Sequence, residues 1–108
     1  MSTGVQRPKI VLEEGYSADV VEDRYNPLIK RRELVIVVHH VAKGTPKRYA
    51  LREAVAKAYG VDIERVYVRK MVTSYGIGRT RAEVNIYDTP ERARLFEPEY
   101  IIERNQPD

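Results

Sequence analysis

The amino-acid sequence predicts an α+β domain: a four-stranded, mainly antiparallel sheet with one main helix on one face and a short C-terminal helix. Three observations predict this fold class. The chain has 108 residues, the size of one domain, and 43% of them are hydrophobic, so it can build a single core. Four segments have the alternating or β-branched pattern of strands. Two segments begin with Thr followed by Pro, which is typical of helix starts.

The first two strands flank a turn. Ala18 to Asp23 predicts a strand, and Glu33 to Val41 predicts another, whose nearly continuous apolarity suits a central strand or one covered on both faces. Asn26-Pro27 favours a turn, since Asn adopts turn conformations and Pro fixes its own φ. The two strands are therefore expected to pair antiparallel through a basic connection, residues 30–32.

The main helix is predicted from about Thr45 to Tyr59. Thr45 can cap it, and the proline that follows suits its first position. Leu51, Val55 and Tyr59 fall at helical spacing on one face, which we expect to pack on the sheet. Gly60 is a natural stop.

Two more strands are predicted after the helix. Arg65 to Thr73 carries valines at positions 66, 68 and 72, which are expected on one side. A glycine-bearing loop, residues 74–79, follows it. Arg81 to Tyr87 then alternates regularly between apolar and polar side chains, as a half-buried strand does.

A short helix is predicted from Thr89 to about Phe96, because Thr-Pro occurs again at its start. Pro98 disfavours helix at the residue before it, and the remainder is expected to be an extended acidic tail. The predicted organisation is a flexible N-terminal arm (1–15), one α/β domain (16–104) and a tail (105–108).

Positive charge is concentrated in the middle of the chain. Residues 24–81 carry fourteen Lys or Arg against four acids, whereas both flanks are acidic and the net charge of the chain is only +3. A concentrated basic field attracts polyanions, and nucleic acid is the commonest; a plain solvated surface is the alternative. Arg52 and Lys57 are expected on the solvated side of the main helix. The hairpin ends and the helix start supply the predicted phosphate contacts: Lys30, Arg31, Arg32, Lys47, Arg48, Arg79 and Arg81.

The loop Gly76-Ile77-Gly78-Arg79-Thr80 has two interpretations. It lacks the spacing of a P-loop and no helix follows it, so nucleotide hydrolysis is not expected. The glycines could serve a hairpin turn that needs positive φ. Alternatively, Gly76 and Gly78 let backbone N–H groups approach phosphate, which Arg79 and Arg81 neutralise. The charge distribution favours the second interpretation.

Several functions lack support in the sequence. There is no cysteine, so thiol chemistry and thiolate metal sites are absent. His39 and His40 are adjacent in a predicted strand and point to opposite faces, which does not suit a shared metal ion. No apolar run approaches the roughly 20 residues of a membrane span. We therefore expect no enzyme activity, cofactor, metal, membrane contact or small-molecule substrate.

The tyrosines leave one alternative open. Tyr67 and Tyr87 could stack on bases from an open sheet face, as in RNA-recognition sheets. Packing in the core or at its rim is the preferred interpretation for most of the eight tyrosines.

Several motifs resemble one family in the same order. Tyr75-Gly76-Ile77-Gly78-Arg79-Thr80, then Ile86-Tyr87-Asp88-Thr89, is similar to the family pattern of aromatic-Gly-x-Gly-basic-Thr and Ile-Tyr-Asp-Ser/Thr at the same spacing. The segment from Asn26 to Glu33 resembles its opening hairpin, Thr45 to Lys47 its helix start, and Glu97-Pro98 its Glu-Pro. The family is the S-twenty-four family of small-subunit ribosomal proteins, of archaeal and eukaryotic type.

This resemblance covers about residues 18–104 and is greater for the archaeal form, since the eukaryotic basic tail is missing. It implies an α/β plait fold and a cytoplasmic, ribosomal location. It also implies small-subunit ribosomal RNA and neighbouring small-subunit proteins as partners, with no catalysis. A free single-strand RNA-binding module that uses an open sheet face is the alternative. An RNA-processing enzyme, the third class, would need a metal-binding or acid–base cluster that the sequence does not offer.

Overall fold

The structure is a computed structural model and describes residues 9–40 and 44–106. Four strands form one antiparallel sheet in the order β1-β2-β4-β3, and helices follow β2 and β4. This confirms the predicted α+β class and the four-stranded antiparallel sheet. The strands are β1 (Tyr16–Asn26), β2 (Arg31–His40), β3 (Val66–Ser74) and β4 (Arg79–Tyr87). The helices are α1 (Arg48–Tyr59), α2 (Pro90–Phe96) and α3 (Glu99–Arg104), with short 3-10 turns at Ile63–Arg65 and Tyr75–Ile77.

One face of the sheet, here called the helix face, packs against α1 through aliphatic side chains. Alternate residues of the central strands point to this face, so the period-2 pattern of the sequence becomes a continuous apolar layer. From α1, Leu51 and Val55 are fully buried against this layer. The sheet residues of this layer are Leu34, Ile36, Val38, Val66, Val68, Ala82, Val84 and Ile86.

The opposite face, here called the polar face, carries charged and amide side chains in the same register. The C-terminal helices cover its part near β3, where Tyr67 and Tyr87 pack with Ala93 and Ile101. The rest stays open. The open part presents Arg24, Arg31, Glu33, Val35, Arg81 and Glu83.

Helix α1 begins at Arg48, three residues later than predicted. Thr45 does not cap it, because the Thr45 hydroxyl hydrogen-bonds the Thr73 hydroxyl at 2.9 Å, and Lys47 occupies the N-cap position without a side-chain cap. The predicted stop is confirmed: Gly60 adopts the left-handed conformation with φ 65°, which a glycine adopts without strain.

A β-bulge in β3 corrects one predicted face. The pairing register with β4 shifts between Val68 and Lys70, so Met71 lies opposite Ala82 on the helix face. Val72, expected beside the other valines, turns to the polar face and is 50% exposed. A bulge reverses the side-chain alternation downstream of it, and residue spacing alone does not reveal one.

The C-terminal segment is helical where the sequence predicted an extended tail. Helix α2 starts as expected, with the Thr89 hydroxyl accepting a hydrogen bond from the Arg92 backbone N–H at 3.2 Å. Helix α3 then occupies Glu99–Arg104, so that expectation is wrong for these residues. Asn105, expected in the tail, is fully buried: its side-chain amide donates to Val68 O at 2.9 Å and accepts from Val68 N–H at 2.8 Å.

Candidate nucleic-acid interface

The predicted RNA-contact residues lie mainly at opposite ends of the sheet. Arg31 pairs with Tyr87 at one end, and His39 pairs with Arg79 at the other. His39 lies eight positions after Arg31 along β2, which corresponds to roughly 27 Å. One group, here called the β1–β2 end, contains Lys30, Arg31 and Arg32. The other, here called the β3–β4 end, contains Lys47, Gly76, Gly78, Arg79 and Arg81.

The β1–β2 turn is fixed by Asn26. Its side-chain oxygen accepts the backbone N–H groups of Leu28 and Ile29 at 3.1 and 3.3 Å, and its carbonyl accepts the Lys30 N–H at 2.8 Å. Lys30 has a φ of 59°, in the left-handed region that residues other than glycine rarely adopt. Lys30 is exposed and makes no ion pair within the described ranges.

Arg31 is largely committed to contacts within the protein. Its Nε donates to Glu33 at 2.8 Å and its Nη1 to the Tyr87 hydroxyl at 2.9 Å, and its side chain is only 15% exposed. Burial acts to raise the pKa of Glu33, but the hydrogen bond and charge of Arg31 bring that pKa below its usual value. Much of the positive charge of Arg31 is therefore neutralised at the sheet surface.

Arg32 lies on the helix face beside the C-terminal end of α1. Its Nη1 donates to Asp23 at 2.6 Å, and its guanidinium lies 5.8 Å from the centre of the Tyr59 ring. The side chain remains 43% exposed, so part of its guanidinium reaches solvent. The sequence placed Arg31 and Arg32 in the connection, whereas both belong to β2.

The β3–β4 end carries cations with fewer acidic partners. Arg79 is exposed and makes no ion pair with any residue in the described ranges, and the same holds for Lys70, which lies further along β3 opposite Glu83. Arg81 lies 3.8 Å from Glu83, and both side chains are about half exposed. Lys47 is exposed at the start of α1. The sequence analysis did not select Lys70, although its position on the solvent side of β3 could have indicated it.

The fold requires a glycine at only one of the two glycine positions of this loop. Gly78 has a φ of 58°, and a Cβ there would lie 2.5 Å from the carbonyl oxygen of His40, so the fold itself requires this glycine. A Cβ at Gly76 would have no atom within 4 Å. The fold therefore leaves Gly76 unexplained, whereas Gly78 has the turn role of the first interpretation.

A chain of hydroxyl groups ties the start of α1 to the β3–β4 hairpin. His40 Nε2 hydrogen-bonds Thr80 at 3.0 Å, and the hydroxyls of Thr80 and Thr73 and of Thr73 and Thr45 are each 2.9 Å apart. His40 and Thr80 are buried, so the bond between them is shielded from water, whereas the other two bonds are partly buried. The chain sets the position of Lys47 relative to the hairpin that carries Arg79.

The other helix cations behave differently from the sequence expectation. Arg52 is buried, with Nε donating to Val66 O at 2.6 Å and Nη1 to Asn105 O at 2.9 Å, so its expected place on the solvated side is wrong. Arg48 donates to Val68 O at 3.2 Å. Burial and the charge of Arg104 lower the pKa of Arg48. Arg48 therefore faces the edge of β3 rather than the loop of the β3–β4 end.

Tyr67 and Tyr87 do not form a stacking platform. They are 4% and 0% exposed, their ring centres lie 6.5 Å apart in an edge-to-face arrangement, and the Tyr87 hydroxyl donates to Glu97. This confirms the packing interpretation for both residues. The open groove of the polar face, with a volume of about 300 Å³, is lined by acids, arginines, aliphatic residues and an asparagine.

Neither a metal site nor a membrane span emerges from the described ranges. Residues 9–40 and 44–106 contain no group of three or more His, Asp or Glu that could hold a metal ion. None of the helices in those ranges is long and apolar enough to cross a membrane.

Comparison with known proteins identifies the family. The sequence model of the family described as Ribosomal protein S24e matches residues 16–106. The small ribosomal subunit protein eS24 of Pyrobaculum arsenaticum is 49% identical over 82 residues, which cover 76% of this chain and 68% of the relative. That of Ignicoccus hospitalis is 46% identical over 86 residues (80% and 82%), and that of Sulfolobus acidocaldarius is 35% identical over 100 residues (93% and 85%). The resemblance in the sequence motifs is thus confirmed, and the chain belongs to the ribosomal protein S24e family.

Proposed function

We propose that this chain is a structural constituent of the small ribosomal subunit and binds ribosomal RNA through the basic residues at the two ends of its sheet. Family membership supports the ribosomal role and a place in cytoplasmic ribosomes, beside neighbouring small-subunit proteins. The family is a structural, non-enzymatic one, which confirms the expectation that the chain is not an enzyme.

The β3–β4 end carries this proposal. Arg79 is an exposed arginine that has no acidic partner among residues 9–40 and 44–106, and it follows a loop in which the fold does not require Gly76. Phosphate attracts unpaired cations, and a missing Cβ lets backbone N–H groups come close to it. Lys47 and Arg81 extend the positive surface on either side.

The remaining predicted residues contribute to RNA binding in two ways, by contacting phosphate or by positioning their neighbours. Lys30 and the exposed part of Arg32 contact phosphate at the β1–β2 end. Arg31 and Arg48 act mainly by positioning, because their guanidinium groups already donate to protein acceptors. The alternative of a single-strand module with stacking tyrosines finds no support, since Tyr67 and Tyr87 are buried.

The salt dependence of RNA binding tests the interface. Each phosphate contact releases about one counterion, so Arg79→Gln should lower the slope of log affinity against log salt by about one unit. Lys57→Ala is the matched control, because Lys57 is an exposed cation on α1 away from the loop. Binding to small-subunit ribosomal RNA is measured by filter retention over a salt series. Equal slopes for Arg79→Gln and wild type would remove Arg79 from the interface.

The glycine pair separates folding from binding. Gly78→Ala should lower the free energy of unfolding by about 1–3 kcal/mol, since it adds both a clash with His40 and strain at positive φ. Gly76→Ala should leave stability unchanged and weaken RNA binding, because the added methyl group meets only the approaching backbone of RNA. Urea unfolding and filter retention are measured on both variants. Wild-type affinity of Gly76→Ala would exclude close approach of RNA at this loop.

A further inference from the structure

The β1–β2 and β3–β4 turns share an arrangement of side chains that the predicted phosphate contacts alone do not explain. Leu28 is 90% exposed and Ile77 is 65% exposed. Each lies two residues before an exposed cation, Lys30 or Arg79, that makes no ion pair in the part of the chain that the structure describes. A single exposed aliphatic side chain is ordinary on a protein surface. The same pairing of an exposed aliphatic residue with an unpaired cation, at both ends of one sheet, indicates a shared purpose.

The backbone conformation of the two turns supports the same interpretation. Each turn contains one residue in the left-handed region: Gly78 at φ 58° and Lys30 at φ 59°. Glycine adopts this conformation without strain, whereas a lysine does so at a cost. Lys30 is therefore present for its side chain, which is exposed.

The surface between the turns does not continue either site. The open groove of the polar face places three acids, Glu22, Glu33 and Glu83, among its arginines. Glu33 and Glu83 are paired with Arg31 and Arg81, so the charges of the groove largely cancel, and one strand of RNA would be held only weakly across the roughly 27 Å that separate the turns.

We propose that the two turns are separate RNA-binding sites, so that one chain bridges two RNA segments. At each site the cation, Lys30 or Arg79, contacts a phosphate, and the aliphatic tip, Leu28 or Ile77, packs in the wide, shallow minor groove of an RNA helix against sugars and base edges. This inference rests on the proposed RNA-binding function. The stiff sheet between the sites keeps their separation fixed, so the second segment is bound at high effective concentration when the RNA is folded to match.

A bridging assay tests the inference. One short RNA stem-loop is immobilised, a second stem-loop of unrelated sequence is labelled, and capture of the label is measured with and without the full chain. Wild type should retain the labelled RNA, and titration should give two stem-loops per chain. Leu28→Ser with Lys30→Gly should bind one stem-loop and lose capture, and Ile77→Ser with Arg79→Gln should do the same. Lys30→Gly keeps the turn conformation, and Lys57→Ala is the control that should retain both RNAs.

The outcomes separate this inference from the proposed function. If wild type binds one stem-loop, and both double variants weaken that single event, the surface is one continuous site and bridging is overturned while RNA binding stands. If wild type binds neither the stem-loops nor small-subunit ribosomal RNA, the proposed function itself fails. If the variants at one turn leave stoichiometry and capture unchanged, that turn is not an RNA site and the inference is overturned.

Discussion

The same four strands form both faces of the sheet, but different interactions hold the helices that cover each face. On the helix face, Leu34, Ile36 and Val38 are almost completely buried against α1. This contact is stabilised by the close packing of apolar side chains. On the polar face, the fully buried Glu97 accepts hydrogen bonds from Asn85 and Tyr87 and has Arg69 Nε at 3.3 Å. That contact depends on matched donors and acceptors.

This difference explains where binding surface remains. An aliphatic layer must be covered over its whole area to exclude water, so on the helix face only charged residues at the margin, such as Arg32, remain for a partner. A polar network needs only its own groups satisfied, so α2 and α3 cover the polar face near β3 and leave the rest open. The two faces should therefore respond to different perturbations, volume loss on one and loss of polar partners on the other.

The largest effect is expected on the helix face. Leu51→Ala should lower the free energy of unfolding by about 2–5 kcal/mol, because Leu51 is fully buried and its loss leaves a cavity. Urea unfolding followed by circular dichroism measures the change. Val72→Ala, at a half-exposed position on the polar face, is the control and should cost far less. Similar losses at the two positions would contradict the contrast between the faces.

A smaller effect is expected where the polar contacts close the edge of β3. Asn105→Ala removes the amide that bonds both the N–H and the carbonyl of Val68, and a buried N–H without a partner costs about 1–3 kcal/mol. Gln106→Ala is the control, because Gln106 is exposed. Hydrogen exchange at the Val68 amide should accelerate in the Asn105 variant alone; unchanged protection would show that the edge is closed by other contacts.

The smallest effect is expected in alkali and on the polar face only. Burial, together with the hydrogen bond to Glu97, raises the pKa of Tyr87 from 10.0 to about 12. Between these values the unfolded chain loses this proton while the folded chain retains it, so stability should be level below pH 10 and fall from there towards pH 12. Tyr87→Phe should flatten this fall in urea midpoints measured across the range. An equally steep fall in the variant would assign it to other groups.

Hydrophobic periodicity, together with the cap and stop residues of the helices, was sufficient to predict much of the fold. The strands, the apolar side of α1, the stop at Gly60 and the cap at Thr89 all depend on local residue patterns, and the structure confirms them. Helix α3 was missed because Pro98 was interpreted only as the end of α2, whereas it is the N-cap of α3. The helix also depends on a distant contact, the packing of Ile101 with Tyr67 and Tyr87. The bulge that exposes Val72 leaves no trace in the residue pattern.

The sequence predicted the positive charge of the candidate interface, but it did not predict which of its cations remain available to bind RNA. The sequence identified the basic middle of the chain, yet partners distant in sequence decide which cations remain for RNA. Tyr87, 56 residues away, takes a hydrogen bond from Arg31, and Asn105, 53 residues away, takes one from Arg52. Arg79 and Lys30 stay available because they lie in or beside turns, where few side chains can reach them.

The side chain of Asn105 also has a consequence for how the sheet is assembled during synthesis. It pairs with Val68 as a neighbouring strand would, and it follows all four strands in the chain. A nascent chain that has released β4 but not residue 105 therefore presents an open strand edge, and such edges recruit other chains. We expect this interval to be when the growing protein is most prone to aggregate, and the pairing of Asn105 with Val68 then protects one position of that edge.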